Sequence, residues 1–179
     1  MTALLLLLTG PRASRADGSA EKDHRLAFGG GYAPLSYASS QNVDDEARRN
    51  KNPTGHVRVG YTYRAVRGLE VGGAVTTAFT GFGALLMPAG SLGGFVTFGE
   101  QTAVELGTAV RLGALMAPSR MDLGWSLSAG PEVRVWPTPS VGFVLGGSAS
   151  LAKASSNGGT RSLAYLTLGT IDLAVAVAL

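Results

Sequence analysis

The chain has 179 residues, 45% of them hydrophobic and 15% charged, with 26 glycines and no cysteine. It is apolar for a soluble domain yet holds no uninterrupted apolar run of the roughly 20 residues a membrane helix needs, and without cysteine it has neither disulfides nor thiolate metal sites. The formal charge of +3 falls to 13 basic minus 12 acidic, or +1, once Arg12 and Arg15 are set aside with a leader, so no nucleic-acid partner is indicated.

In chain order, the apolar run Ala3 to Leu8 is followed by Thr9, Gly10 and Pro11, then by Ser14 and Ala16 at small-residue positions before Asp17. This reads as a shortened secretion signal over residues 1–16. Residues 17–24 are polar and read as a periplasmic leader segment. From Arg25, Leu26, Phe28 and Tyr32 share one parity with Gly30, while Arg25, Ala27, Gly29 and Gly31 share the other, which predicts a first strand ended by Pro34. Residues 35–53 are polar and charged and read as the longest connection.

The stretch from Thr54 to Phe79 is a hairpin of two alternating runs. Val57, Val59, Tyr61 and Tyr63 oppose His56, Arg58, Gly60, Thr62 and Arg64; Leu69, Val71, Val75, Thr77 and Phe79 oppose Glu70, Gly72, Ala74, Thr76 and Ala78. The bulky apolar side chains share one face, and the other holds small residues with isolated charges. That second face suits the crowded inside of a narrow closed barrel, with lipid on the apolar side.

Residues 80–90 read as an apolar connection that either extends the strands or rests on the membrane surface. Leu92, Val96 and Phe98 give a fourth strand of weaker alternation, because Phe95 falls on the inner parity. The fifth points Val104, Leu106, Thr108, Val110 and Leu112 outward. The sixth, Asp122 to Trp136, does so with Leu123, Trp125, Leu127, Ala129, Val133 and Val135, and Gly130 and Pro131 are expected to mark a bulge or kink. The seventh strand carries Val141, Phe143, Leu145, Ala149 and Leu151 outward. After a polar loop over 153–162, the last places Leu163, Tyr165, Ile171, Leu173, Val175, Val177 and Leu179 on the outer parity and Asp172 inside.

The predicted fold is all-β, an eight-stranded antiparallel up-and-down transmembrane β-barrel over residues 25–179. Longer connections follow the odd strands and short ones the even strands, the asymmetry of a barrel whose short turns face the periplasm. Outward aromatics should form two girdles, Tyr32, Phe79, Trp125 and Tyr165 at the outer ends and Phe28, Tyr63, Phe98 and Phe143 toward the inner ends. The inner parity collects Arg25, Arg58, Arg64, Arg111 and Arg134 with Glu70, Glu105, Glu132 and Asp172, an expected ion-paired lumen network. Asp44, Asp45, Glu46, Arg48, Arg49, Lys51, Arg120, Lys153 and Arg161 are candidate contacts on the extracellular loops, the cations facing lipopolysaccharide phosphates.

This pattern of strands and connections, with a C-terminal strand from Ile171 to Leu179, resembles the small outer-membrane barrels of the OmpA transmembrane-domain and OmpX kind. The resemblance covers residues 25–179 and is architectural. It implies a bacterial outer-membrane protein inserted by the outer-membrane assembly machinery, with membrane lipid around it.

The sequence offers no catalytic residue, metal site or cofactor. GxSxG, HExxH, Walker and zinc patterns are absent. A lipid-modifying outer-membrane enzyme would require a His paired with a Ser at short spacing, which neither His24 nor His56 has. A soluble lipocalin-like carrier would require bulky residues inside and polar ones outside, the reverse of the pattern seen. The expected role is therefore non-enzymatic, structural or surface-interacting, as a monomer; a narrow ion or solute pore is the alternative.

Overall fold

The computed structural model describes residues 23–42, 48–66, 68–99, 102–118, 122–156 and 161–179, and these are all strand and turn. Ten strands run in chain order: β1 (His24–Ala33), β2 (Leu35–Asn42), β3 (Arg48–Asn50), β4 (Thr54–Val66), β5 (Leu69–Thr80), β6 (Gly83–Phe98), β7 (Ala103–Ala117), β8 (Asp122–Trp136), β9 (Val141–Ser155) and β10 (Arg161–Ala178). The sheet order is β1-β4-β5-β6-β7-β8-β9-β10-β2-β3, every neighbour antiparallel, and β1 also pairs with β10 and closes the wall. β1 and β2 share one position in the wall on either side of Pro34, and β3 leads into β4, so the barrel has the predicted eight strand positions. At the terminal end the Leu179 N–H donates to the His24 carbonyl at 2.9 Å and the Arg64 N–H to the Asp23 carbonyl at 2.7 Å.

Residues 35–53 are not one long connection. Ser36 and Ala38 turn inward and are buried while Leu35 is exposed, so a polar sequence keeps a two-residue period and pairs Leu35 through Asn42 with β10. Residues 80–90 extend the strands: β5 runs to Thr80, residues 81 and 82 turn, and β6 begins at Gly83. The inward residues of this stretch are Leu85 and Met87, not the small residues found deeper in the lumen. The connections on the side of the barrel away from the termini are therefore about as short as those beside them.

Pro131 produces no bulge. The β7 ladder passes through it unbroken, Thr108 opposite Pro131, and the β9 register is the same on both sides, Ala129 opposite Ala149 and Glu132 opposite Gly146. The missing N–H leaves only a local gap in the second ladder.

The outer face is a continuous apolar surface, with Leu112, Leu123, Leu145, Leu173 and Phe28 each more than half exposed. A water-soluble monomer does not carry an apolar surface of that extent, whereas a membrane barrel requires one. Polar outward residues gather at one end, where Ser39, Lys153 and Ser155 lie. β6 through β10 have 15 to 18 residues, more than the roughly 9 to 11 that cross a bilayer at a tilt, so the wall continues past the membrane.

Candidate functional site

The lumen is built in tiers. Nearest the termini, Glu70 and Glu105 sit side by side on β5 and β7, each 2% exposed, and three arginines from β1, β4 and β8 converge on them. Arg25 grips Glu105 with both terminal nitrogens, at 2.6 and 2.9 Å, and reaches Glu70 at 2.7 Å. Arg64 donates to Glu105 at 2.6 Å and Glu70 at 3.0 Å, and Arg134 to Glu70 at 2.7 Å and Glu132 at 3.1 Å. Buried carboxylates shared among several guanidinium forks offset part of the cost of removing each charge from water.

Two aromatic side chains complete this tier. The Trp136 indole N–H donates to Glu105 at 3.1 Å and its ring lies 4.6 Å from the Arg25 guanidinium, while Arg134 stacks 3.7 Å over Phe95. Glycines make room for the rings: a Cβ on Gly142 would stand 2.7 Å from the Trp136 ring, and one on Gly107 would run into Phe95. The sequence signal for Trp136 is its parity, which it shares with Glu132 and Arg134.

Further along the axis, Arg111 pairs with Glu132, Arg58 stands 3.5 Å from Asp172, and His56 Nε2 stands 2.7 Å from the other Asp172 oxygen. Thus seven of the nine charged residues of the inner parity, Arg25, Arg64, Arg111, Arg134, Glu70, Glu105 and Glu132, meet in one network, and Arg58 and Asp172 form a second with His56. Arg58, Arg111 and Asp172 stand above the Glu70 and Glu105 tier. Arg58 and Arg111 line both a cavity of about 60 Å³ below them and one of about 40 Å³ above.

Beyond the second cavity lies an apolar tier of Leu85, Met87, Leu115, Leu163 and Tyr165 with alanines around them and Phe82 packed against it. Tyr165 was expected in the outer girdle. It is instead 3% exposed inside the lumen, its hydroxyl 3.0 Å from Thr54 Oγ1, and Leu163 is buried beside it. The cause is a register shift between Thr167 and Thr170, where Gly169 takes φ +68° and reverses which parity of β10 faces inward. The remaining girdle candidates, Phe28, Tyr32, Tyr63, Phe79, Phe98, Trp125 and Phe143, are all exposed on the outer face.

Of the surface candidates, Lys51 and Lys153 are exposed, Lys51 between β3 and β4 and Lys153 on β9 rather than in the predicted loop over 153–162. Arg48 and Arg49 belong to β3 and Arg161 opens β10 rather than lying in loops, with side chains outside the described residues; Asp44, Asp45, Glu46 and Arg120 lie wholly outside them.

No protein-family model and no curated protein matches the sequence. Among solved structures, the barrel is similar to Neisserial surface protein A, NspA, with a TM-score of 0.52 and 12% identity over 87% of this chain and 97% of that one. Ail, the attachment invasion locus protein of Yersinia pestis, is matched at TM-score 0.36 and 15% identity over 84% of this chain and 99% of that one. A second Ail structure, in complex with the heparin analogue sucrose octasulfate, gives TM-score 0.35 and 13% identity over the same shares of the two chains, 84% and 99%. The NspA likeness extends over nearly the whole of both chains and agrees with the closed wall and the apolar exterior: the fold is that of the small eight-stranded barrels of the bacterial outer membrane.

Proposed function

We propose that the protein is a non-enzymatic barrel of the bacterial outer membrane, with a structural or surface-interacting role exercised from the end away from its termini. The observation that carries this reading is the stacking of a charged tier and an apolar tier in one lumen. Arg25, Glu70, Glu105 and Arg134 fill one level, and Leu85, Leu115, Leu163 and Tyr165 fill another. Ion flow needs a continuous wetted path, and the apolar tier interrupts it.

His56 stands against Asp172 in the lumen, away from the lipid that a lipid-modifying enzyme would attack, which supports a non-enzymatic role. The polar end of the wall, with exposed Lys153 and Lys51 and with Arg48, Arg49, Arg120 and Arg161 in the chain nearby, is suited to lipopolysaccharide phosphates. Membrane lipid surrounds the apolar belt, the outer-membrane assembly machinery inserts the chain, and the protein is a monomer. Planar-bilayer recording of the purified protein tests the sealed lumen. Rare, small events are expected, and large steady currents would establish the narrow-pore reading instead.

A further inference from the structure

Among the described residues five arginines, Arg25, Arg58, Arg64, Arg111 and Arg134, share the lumen with four carboxylates, Glu70, Glu105, Glu132 and Asp172, an excess of one positive charge (five minus four). Asp122, the other buried acid among them, does not redress it locally, because it lies ten positions along β8 from Glu132, about 33 Å at the rise of a strand. The excess falls on Arg58. Its only carboxylate partner among the described residues is Asp172 at 3.5 Å, which His56 shares at 2.7 Å. A guanidinium so weakly compensated away from water is costly unless a further anion stands near it.

The cavity above Arg58 and Arg111 has the lining such an anion requires. Its wall carries both arginines and the hydroxyls of Thr76, Ser128, Ser150 and Thr167, with no carboxylate. Thr167 is 1% exposed, and its hydroxyl has no partner among the described residues, although a buried hydroxyl ordinarily finds one. The volume of about 40 Å³ admits a monatomic ion, since about 10–15 Å³ suffices for a water-sized body.

We infer that this chamber is a resident site for a small inorganic anion of the halide class, chloride in the cell, which balances Arg58 and takes a hydrogen bond from Thr167. The site serves the fold rather than transport, since the apolar tier lies between it and the outer rim.

The test uses the refolded full chain in detergent. Thermal loss of the folded gel band is followed in sodium chloride and in sodium gluconate at equal ionic strength, and crystals grown in sodium bromide are examined for anomalous density between Arg58 and Arg111. The expected result is a chloride-dependent rise in the midpoint together with bromide density at that position. In Arg58→Gln the chloride concentration giving half the effect should rise about tenfold or more, as for loss of a charged hydrogen-bond partner. If that variant does not fold, Thr167→Val, close in shape but lacking the hydroxyl, should show the same direction of change. Superimposable chloride and gluconate curves for the native chain overturn the inference. So does bromide density without any chloride stabilisation, which marks an adventitious ion only.

Discussion

Pro34 and Gly169 stand opposite each other at the seam of the barrel, and both strands exchange their inner and outer faces there. The pairs Tyr32 with Ile171 and Leu35 with Leu168 keep one register, which sets residue 34 against residue 169. On one side Ala33 and then Ser36 are buried; on the other Thr170 and then Thr167. A proline without an N–H and a glycine at φ +68° together let two strands switch parity without losing their pairing.

Gly169 is accordingly a backbone requirement, since nothing stands within 4 Å of a Cβ built there. Gly169→Val should cost about 1–2 kcal/mol through the left-handed conformation alone. Asn, which tolerates that region, should cost less. Urea unfolding in lipid vesicles measures both, and equal stabilities for the Val variant and the native chain would contradict the assignment.

Glu105 accepts from Arg25, Arg64 and Trp136. Replacing it by Ala leaves those donors without their shared acceptor, and a loss of about 3–5 kcal/mol is expected in the same assay. The double variant Arg25→Met/Glu105→Leu should lose less than the sum of the two single variants. Strict additivity would mean that the pair is not energetically coupled.

Most of the wall was legible because a barrel in lipid imposes opposite chemistries on alternate residues. The hairpin of β4 and β5 obeys that rule with Val57, Val59 and Tyr61 outside against Arg58 and Gly60 inside. The rule fails where its premise fails. Leu85, Leu115 and Leu163 are apolar and inward because they pack against one another and the alanines around them, and Leu35 to Asn42 is a polar strand within the protruding wall. Tyr165 was misplaced by a one-residue irregularity, since in a strand of period two a single bulge inverts every later side chain. The charges that converge in the lumen were named by parity alone, but their partners, Trp136 and His56 among them, depend on how strands far apart in the chain curve to face one another.

Parity also makes a direct prediction about lipid. Val59 is 45% exposed in mid-β4, between the lumen-facing Arg58 and Gly60. Val59→Arg should weaken folding in vesicles by about 2–4 kcal/mol, the cost of an arginine near the bilayer midplane. An unchanged unfolding midpoint would place this face away from lipid.

Orientation is tested by labelling. The end carrying Lys153 and Ser155 has polar outward residues and a wall longer than the bilayer, whereas residues 137–140 lie at the end where Ala178 donates to the Ser140 carbonyl, beside the termini. In bacterial barrels of this fold the termini lie in the periplasm, so Lys153 should project from the cell and Thr138 should not. Each is an exposed side chain outside the lumen network, so a cysteine at either should leave the fold intact. A membrane-impermeant maleimide applied to intact cells is expected to modify Lys153→Cys at a rate close to that seen after lysis, and Thr138→Cys only after lysis. The reverse pattern would turn the barrel over and remove the lipopolysaccharide reading. Labelling of both on intact cells would mean that the wall does not divide the two compartments at these positions.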